Sequence, residues 1–195
     1  QKAGEAGYAP AQCNLAVCFL NGNGTAKDSV KAVEWLRKAA AQEFPRAQRL
    51  LGCCYENGDG VEKNSGEAVG WYRLAAKQNY PPALCDLGLC YEFGTGVEQS
   101  PERACEFYEQ SGRLGHASAQ CNLAYCYLNG NGLPQDYEKA VEWLRKSAAQ
   151  GFARAQRLLG CCCENGDGVP RNIDEAVKWY ALAAGQNYPP ALCDL

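Results

Sequence analysis

The amino-acid sequence repeats with a fixed period of 36 residues. Identical residues recur in phase at three positions: Ala11, Ala47, Ala83, Ala119, Ala155 and Ala191; Leu15, Leu51, Leu87, Leu123, Leu159 and Leu195; and Cys18, Cys54, Cys90, Cys126 and Cys162. A period of this length is typical of repeat arrays, in which each unit buries its apolar face against its neighbours. The sequence therefore predicts a solenoid, which offers an extended binding surface rather than a closed catalytic pocket.

Counted from Ala11, the period gives five full units, which are 11–46, 47–82, 83–118, 119–154 and 155–190. Partial units, 1–10 and 191–195, flank them, so we expect residues 1–195 to form a single array that is a piece of a longer one. A second symmetry relates residues 11–87 to residues 119–195, which are near copies three units apart. The surface chemistry of the array should therefore recur along it.

Each unit is predicted to form two helices, A and B. In the first unit, helix A is expected over about Ala11 to Leu20, where apolar residues have helical spacing, and Asn-Gly pairs end it. Helix B is expected to begin behind strong N-cap residues, namely Asp28, Asn64, Ser100, Asp136 and Asn172. Each helix B carries a large ring that is predicted to pack in the core: Trp35, Trp71, Phe107, Trp143 and Trp179. The predicted fold class is all-α.

Composition excludes several classes of function. With 19 basic and 22 acidic residues the net charge is −3, whereas nucleic-acid-binding proteins typically carry an excess of positive charge. No apolar run approaches the roughly 18 residues of a membrane span. Cysteine is abundant, at 13 residues, but stacked helices lie about 8–10 Å apart and a disulfide requires Cα atoms within about 7 Å. We therefore predict reduced core thiols, which favour a cytoplasmic location.

The pattern of the second unit resembles the Sel-one-like repeat family, a relative of the tetratricopeptide repeat. The matching residues are Ala47, Leu51, Gly52, Tyr55, Gly58, Gly60, Val61, Ala68, Trp71, Tyr72, Ala75 and Ala76. The resemblance implies a right-handed superhelix of antiparallel helix pairs. It also implies a non-catalytic adaptor or scaffold that binds other proteins and needs no cofactor.

One branch of that family is secreted and cysteine-rich, with disulfides between positions eight residues apart near the end of helix B and the start of the next helix A. The present chain has other residues at those places: Ala40 and Gln48, Ala76 and Leu84, Gly112 and Gln120. We therefore expect neither these disulfides nor the β-lactamase-like activity attached to that branch.

In tetratricopeptide relatives helix A lines a concave groove, and the resemblance places the following residues there: Arg46, Arg49, Cys53, Glu56, Asn57, Leu89, Phe93, Tyr125, Asn129, Arg154, Arg157, Cys161 and Asn165. The arginines form two pairs, and the two members of each pair lie three residues apart on one helix face. Guanidinium groups bind carboxylates well. An extended peptide that is acidic, or has a free C-terminal carboxylate, is the expected partner. Alternatively, the arginines are solvated or pair with Glu56 and Glu164. The asparagines at the ends of helix A either clamp a peptide backbone or, as the Asn-Gly sequence favours, form a helix-ending turn.

The sequence contains only weak patterns for a catalytic or a metal-binding site. The consecutive residues Cys161, Cys162 and Cys163 point about 100° apart on a helix and cannot converge on one ion. Cys105 and His116 are the one nearby thiol–imidazole pair, without a third orienting group. The repeated Gly-x-Gly follows a helix, not a strand, and so is no phosphate loop. We expect a non-enzymatic, monomeric scaffold; the alternatives are a hydrolase and an array that self-associates weakly end to end.

Overall fold

The computed structural model describes residues 7–186 and 188, and every regular element in these residues is an α-helix. This confirms the predicted all-α class and its two helices per unit. The helices are α1 (Ala9–Asn21), α2 (Ser29–Ala40), α3 (Pro45–Asn57), α4 (Ser65–Ala76), α5 (Pro81–Phe93), α6 (Pro101–Arg113), α7 (Ala117–Asn129), α8 (Tyr137–Ala149), α9 (Ala153–Asn165) and α10 (Ile173–Ala184). The partial unit 191–195, including Ala191 and Leu195, and residues 1–6 of the first partial unit lie outside the described residues.

The chain divides into two compact parts, residues 1–99 and residues 100–195, which we call the N-terminal and C-terminal parts. In the N-terminal part, α1 to α5 pack in chain order, each helix against the next. In the C-terminal part, α6 to α10 pack in the same sequential way. Consecutive helices that are joined by short connections and pack together form helical hairpins, the building blocks of an α-solenoid.

Helix A begins behind an aromatic residue. Phe44 precedes α3 in an extended conformation, with φ −71° and ψ 111°, and Pro45 occupies the first turn, where the missing N–H costs no helical hydrogen bond. In the first unit the same arrangement places the start of α1 at Ala9, with Pro10 in its first turn. The helix is therefore slightly longer at both ends than the predicted span of about Ala11 to Leu20.

Helix B begins where the N-cap residues predicted it. The Asp28 carboxylate accepts a hydrogen bond from the Lys31 backbone N–H at 3.0 Å, and Asn64 accepts from the Glu67 N–H at 3.1 Å. Ser100, Asp136 and Asn172 do the same for the three later units. Each bond satisfies one of the unpaired donors of a helix N-terminus, which explains why a polar residue recurs at this place.

Small apolar residues fill the core between the helices. Ala32, Leu36 and Ala39 are fully buried in α2, and Trp35 packs against the same cluster while remaining partly exposed. The Lys38 ammonium lies 4.2 Å from the centre of the Trp35 ring. The rings of helix B are thus packing groups, as expected. Within the described residues, no helix is both long and apolar enough to cross a bilayer.

The two glycines of the repeated Gly-x-Gly have separate structural roles. The first, such as Gly58, ends helix A in the left-handed conformation, with φ 83°. The second, such as Gly60, also has positive φ, and a Cβ there would collide with the backbone carbonyl of Ser29 in the preceding helix B. Gly96, Gly132 and Gly168 lie against the first turn of the preceding helix B in the same way. The motif therefore joins neighbouring repeats.

Candidate peptide-binding face

The predicted groove residues lie on two surfaces, one in each part of the chain. The N-terminal A face consists of Arg46, Arg49, Cys53, Glu56 and Asn57 on α3 with Leu89 and Phe93 on α5. The C-terminal A face consists of Tyr125 and Asn129 on α7 with Arg154, Arg157, Cys161 and Asn165 on α9. All of these residues are exposed or half-buried.

Arg49 makes an ion pair across neighbouring repeats. Its Nε donates to Oδ2 of Asp86 on α5 at 2.5 Å, and its Nη2 donates to Oδ1 at 3.3 Å. Burial opposes the charge on Arg49, but the hydrogen bond and the charge of Asp86 raise the guanidinium pKa overall. Burial raises the pKa of Asp86, and Arg49 works against that rise. The alternative pairing of Arg49 with Glu56 is therefore wrong, and Arg49 connects α3 to α5.

Glu56 instead holds a buried tyrosine. The Tyr72 hydroxyl on α4 donates to Glu56 Oε2 at 2.6 Å and lies 3.5 Å from Cys53 Sγ. Burial, reinforced by these neighbours, raises the pKa of Tyr72, so its hydroxyl stays protonated and remains a donor. The same arrangement recurs in the C-terminal part, where Tyr180 donates to Glu164 at 2.7 Å beside Cys161.

The outer arginine of each pair binds an asparagine of the preceding helix A. Arg46 Nη1 donates to Asn14 Oδ1 at 3.0 Å, and Arg154 Nη1 donates to Asn122 Oδ1 at 3.0 Å. The Arg154 guanidinium also lies 5.2 Å from the centre of the Tyr125 ring. These guanidinium groups retain donors beyond the single bond to asparagine, because each carries five N–H groups.

Apolar side chains interrupt the polar surface. Phe93 is 68% exposed, and Leu89, one turn earlier on α5, is 37% exposed. Tyr125 on α7 is 39% exposed. Phe93 occupies the last position of its helix A, where the other four units have asparagine: Asn21, Asn57, Asn129 and Asn165. The third unit therefore exposes an apolar side chain where the other four expose a polar one.

The asparagines at the ends of helix A act locally. The Asn129 amide donates to the Tyr125 carbonyl in its own helix at 2.8 Å, and the Asn165 amide donates to Asp167 at 3.2 Å. A left-handed glycine follows each of them. This agrees with the helix-ending role that the Asn-Gly sequence favours.

The cysteines of α9 have different surroundings, as the helical geometry predicts. Cys162 packs in the core with Leu159, Cys163 packs beside Tyr180, and Cys161 is half-buried at the A face. Burial raises the pKa of Cys162 to about 12. Among the described residues no three His, Cys, Asp or Glu side chains are placed to hold a metal ion.

The thiol–imidazole pair has structural surroundings. Cys105 is buried in α6, and its Sγ donates to the carbonyl of Asn131 at 3.3 Å. His116 stands before α7, at the place where Phe44 precedes α3. Cys105 thus contacts the loop after α7, and His116 takes the place of the aromatic residue before helix A.

The places that carry disulfides in the cysteine-rich branch are joined here by a hydrogen bond. The Gln120 amide donates to the Gly112 carbonyl at 2.8 Å, and the Gln156 amide donates to the Ala148 carbonyl at 3.4 Å, in each case across eight residues. The twelve described cysteines are free thiols. Sequence reasoning noted the glutamines but missed this bond.

Two contacts on the A face were not predicted from the sequence, namely Arg49 with Asp86 and Glu56 with Tyr72. The sequence does contain a signal for the first. Arg49 and Asp86 are 37 residues apart, and Arg157 and Asp194 repeat that spacing in the duplicated segment. Asp194 lies outside the described residues. The second link, Glu56 to Tyr72, joins two helices of one unit, and its three-dimensional proximity has no local sequence signature.

The model of the Sel1 repeat matches five consecutive segments, residues 9–44, 45–80, 81–116, 117–152 and 153–188. The chain belongs to the Sel1 repeat family. Proteins of this family are generally protein-interaction scaffolds, and the family and its structural neighbours are mostly non-catalytic. Each matched segment begins at the first residue of a helix A, such as Ala9 or Pro45, which is where the structure begins each helix pair.

Solved structures show the same fold. A Sel1 repeat protein from Oxalobacter formigenes is 33% identical, with a TM-score of 0.87, over 95% of this chain and 74% of that protein. The protein c5321, a protective antigen present in uropathogenic Escherichia coli strains, is also 33% identical, with a TM-score of 0.87, over 97% of this chain and 40% of that protein. This Sel1 chain thus spans less than half of the antigen.

Cysteine-rich protein B from Helicobacter pylori shares the fold at 20% identity and a TM-score of 0.55, over 68% of this chain and 96% of that protein. At this identity the likeness concerns the fold alone. A comparison with curated proteins found no match.

Proposed function

We propose that this Sel1 chain is a non-catalytic scaffold that binds an extended segment of a partner protein along its A faces, with residues 1–195 acting as one array. One observation supports this most directly: Phe93 and Leu89 are exposed side by side on α5, next to the ion pair of Arg49 with Asp86. An apolar anchor beside ordered polar groups is the usual composition of a peptide-binding hot spot.

The partner chemistry follows from what the two faces offer. On the N-terminal A face, Phe93 and Leu89 receive an apolar side chain, and the exposed Arg46 offers donors to a carboxylate of an acidic residue or of a free C-terminus. On the C-terminal A face, Tyr125 with Arg154 and Arg157 supplies the corresponding aromatic and basic groups. Nucleic acid is not the expected partner at a net charge of −3.

We also propose a cytoplasmic location and a monomer with at most weak end-to-end association. The free, mostly buried thiols favour a reducing compartment. The hydrolase alternative gains no support from the carboxylates of the A faces, because Glu56 and Glu164 each accept a hydrogen bond from a buried tyrosine. End-to-end association would appear as a rise of molecular mass with concentration in light scattering.

The test is a peptide-display selection on the whole chain, followed by affinity measurements on two variants. Phe93→Asn introduces the residue that other units have at this position, so the fold is expected to tolerate it. Arg46→Gln removes a charge and keeps a donor for Asn14. We expect enriched peptides with an apolar residue near an acidic group, and a loss of affinity of about tenfold or more for Phe93→Asn, as for a hot-spot residue.

The control is Leu74→Asn, which removes an exposed apolar side chain, 42% exposed, from α4 outside the A face. It should leave the affinity unchanged. Arg49 is a poor probe, because replacing it leaves the half-buried Asp86 without its partner. If no peptide is enriched, or if Phe93→Asn and Leu74→Asn bind the selected peptides as the parent does, the A face is not the binding surface.

A further inference from the structure

One arginine in each part of the chain is held in place by a neutral group. Arg46 is the second residue of α3, and Arg154 is the second residue of α9. Each donates from Nη1 to the side-chain oxygen of an asparagine, and among the described residues neither forms an ion pair. Because asparagine carries no charge, it orients a guanidinium group without neutralising it. Both arginines therefore keep their full positive charge in a defined position.

Arg49, on the same helix as Arg46, shows how such a group binds a carboxylate. Its Nε and Nη2 form one edge of the guanidinium group and donate to the two carboxylate oxygens of Asp86. In Arg46 and Arg154 the same two nitrogens donate no hydrogen bond within the described residues. The edge that suits a carboxylate thus remains able to donate, because the bond to asparagine uses Nη1.

No carboxylate of the surrounding helices competes for these edges. Helices α1 and α7 contain no charged residue, and the single acidic residue of α3 or α9 is Glu56 or Glu164. Each lies nearly three turns after the arginine, about 15 Å along the helix axis, and accepts a hydrogen bond from a buried tyrosine. That separation exceeds the screening length of about 8 Å at physiological ionic strength. Glu43, just before α3, forms no ion pair within the described part of the chain.

The two arginines are copies of one arrangement. Asn14 with Arg46 returns three units later as Asn122 with Arg154, and the Nη1–Oδ1 distance is 3.0 Å in both. The copies differ in one neighbour, because Tyr125 lies beside the Arg154 guanidinium at 5.2 Å and its equivalent in α1 is not aromatic. Arg46 is exposed and Arg154 is half-buried. We therefore expect Arg154 to hold an anion more tightly, since water screens its charge less.

We propose that the Nε–Nη2 edges of Arg46 and Arg154 are two copies of one carboxylate-binding subsite, so that each chain binds two carboxylate-bearing segments, one in each part. The inference rests on the proposed scaffold function, to which it adds the number of partner segments and the atoms that hold them. Each carboxylate accepts two parallel hydrogen bonds and comes from an acidic side chain or a free C-terminus. Asn14 and Asn122 are positioning residues, because they hold the guanidinium group without touching the carboxylate.

NMR spectroscopy of the isotope-labelled 195-residue chain tests the proposal, since each arginine Nε–H gives its own signal. Arg46→Gln and Arg154→Gln assign the two signals. Three acetylated tripeptides serve as probes at constant ionic strength: Ala-Glu-Ala amide has a side-chain carboxylate, Ala-Gln-Ala has a C-terminal carboxylate, and Ala-Gln-Ala amide has neither. We expect both signals to shift saturably with at least one of the first two probes. The third should bind about tenfold more weakly or worse, as for the loss of a charge-assisted hydrogen bond.

Asn14→Asp is the sharpest variant, because it keeps an acceptor for Arg46 Nη1 and supplies its own carboxylate. Asn14 is exposed, so the fold is expected to tolerate the change. It should weaken binding at Arg46 about tenfold or more and leave the response of Arg154 unchanged. Gln110→Glu adds the same charge at an exposed position of α6 outside the A faces, and it should change neither response.

The proposal is overturned if only one signal or neither responds to the carboxylate probes, if the uncharged probe binds as tightly, or if Asn14→Asp binds as the parent does. Its failure is distinguishable from that of the scaffold proposal, because the tripeptides contain no large apolar side chain and do not depend on Phe93. Responses at both arginines, with display-selected peptides insensitive to Phe93→Asn, would support the subsites and contradict the apolar anchor. Selected peptides that need Phe93, without a response at either arginine, would do the reverse.

Discussion

Two neighbouring helix pairs, α1–α2 and α3–α4, share the same helix starts and core packing, which we call the frame. They differ in some of the side chains that the frame carries. Both begin helix B with an N-cap residue, Asp28 or Asn64, and both pack a tryptophan beside small buried residues. Among the many equivalent positions at which they differ, three are linked through Tyr72 in α3–α4: α1–α2 has Ala16, Leu20 and Leu36, and α3–α4 has Gly52, Glu56 and Tyr72. The frame holds the fold, and these three positions change its surface.

The three residues of α3–α4 depend on one another. A Cβ on Gly52 would lie 2.5 Å from Cε1 of Tyr72, so the ring needs a glycine opposite it. The ring in turn brings its hydroxyl to Glu56 at the A face. The C-terminal part repeats both sets: α7–α8 has Ala124, Leu128 and Leu144, and α9–α10 has Gly160, Glu164 and Tyr180. Each helix pair thus carries either an apolar or a polar set.

A second comparison concerns two glycines with positive φ. Gly60 and Gly151 have φ 73° and 79°, but only Gly60 lies against a neighbouring backbone. This gives a matched pair of sites for separating backbone strain from contact between repeats.

The largest effect is expected for Gly60→Ala. The left-handed backbone costs alanine about 1–2 kcal/mol, and the collision with the Ser29 carbonyl adds about 1–3 kcal/mol, because a backbone cannot move aside as a side chain can. Gly151→Ala should lose the first amount only. Denaturant unfolding of both variants measures the difference; equal losses would show that Gly60 does not join the repeats.

Gly52→Ala should destabilise the fold by about 2–3 kcal/mol, since the added methyl overlaps the fully buried Tyr72 ring. Tyr72→Leu in the same chain recreates the pairing of α1–α2 and should recover most of this loss. The free energies of unfolding of the single and double variants decide the matter. If the second substitution adds to the damage, the two residues do not form a set.

A smaller effect is expected for Tyr72→Phe, which deletes only the hydroxyl. Losing the 2.6 Å hydrogen bond to the Glu56 carboxylate should cost about 1.5–3 kcal/mol at most, less to the extent that water reaches the half-buried carboxylate. In a Glu56→Leu background the same substitution should have almost no effect. A double-mutant cycle measures the coupling, and additive losses would contradict it.

The smallest effect concerns two equivalent thiols. Cys18 is half-buried, whereas Cys54 is 2% exposed and burial raises its pKa to about 12, well above that of a free thiol. A disulfide reagent should therefore label Cys18 well before Cys54 in the folded chain, and both quickly after denaturation. Equal native rates would contradict the burial of Cys54.

The raised thiol pKa also predicts how stability depends on pH. Between pH 9 and 12, unfolded Cys54 ionises while folded Cys54 keeps its proton. Stability is therefore fully present below pH 9 and is lost as the pH rises through this window. Cys90 and Cys162, also raised to about 12, act in the same direction, and unfolding at a series of pH values measures their sum.

The sequence was sufficient to predict the frame, because the signals that define it are local and recur in every repeat. The period, the N-cap residues and the Asn-Gly helix ends predicted each helix within a few residues, and every predicted N-cap is confirmed. Each of these signals acts within one helix turn. The start of α1 was placed too late because Pro10 was not recognised as part of the first turn.

The chemistry of the A face was harder to predict because it depends on contacts between helices. Nothing in the local sequence distinguishes Arg49 from Arg46. The partner of Arg49 is Asp86, which lies one repeat further along the chain. Glu56 was expected in the groove or paired with an arginine, but it accepts a hydrogen bond from Tyr72. The groove role of these residues stays a prediction.

The most direct measurement is denaturant unfolding of the triple variant Gly52→Ala, Glu56→Leu and Tyr72→Leu, with and without a display-selected peptide. This variant gives α3–α4 the apolar set of α1–α2. We predict a free energy of unfolding within about 1.5 kcal/mol of the parent, as for a volume-conserving exchange, and stabilisation by the peptide as strong as in the parent, because Arg46, Leu89 and Phe93 are unchanged. A variant as unstable as Gly52→Ala alone, or one that the peptide no longer stabilises, would contradict the separation of frame and binding face.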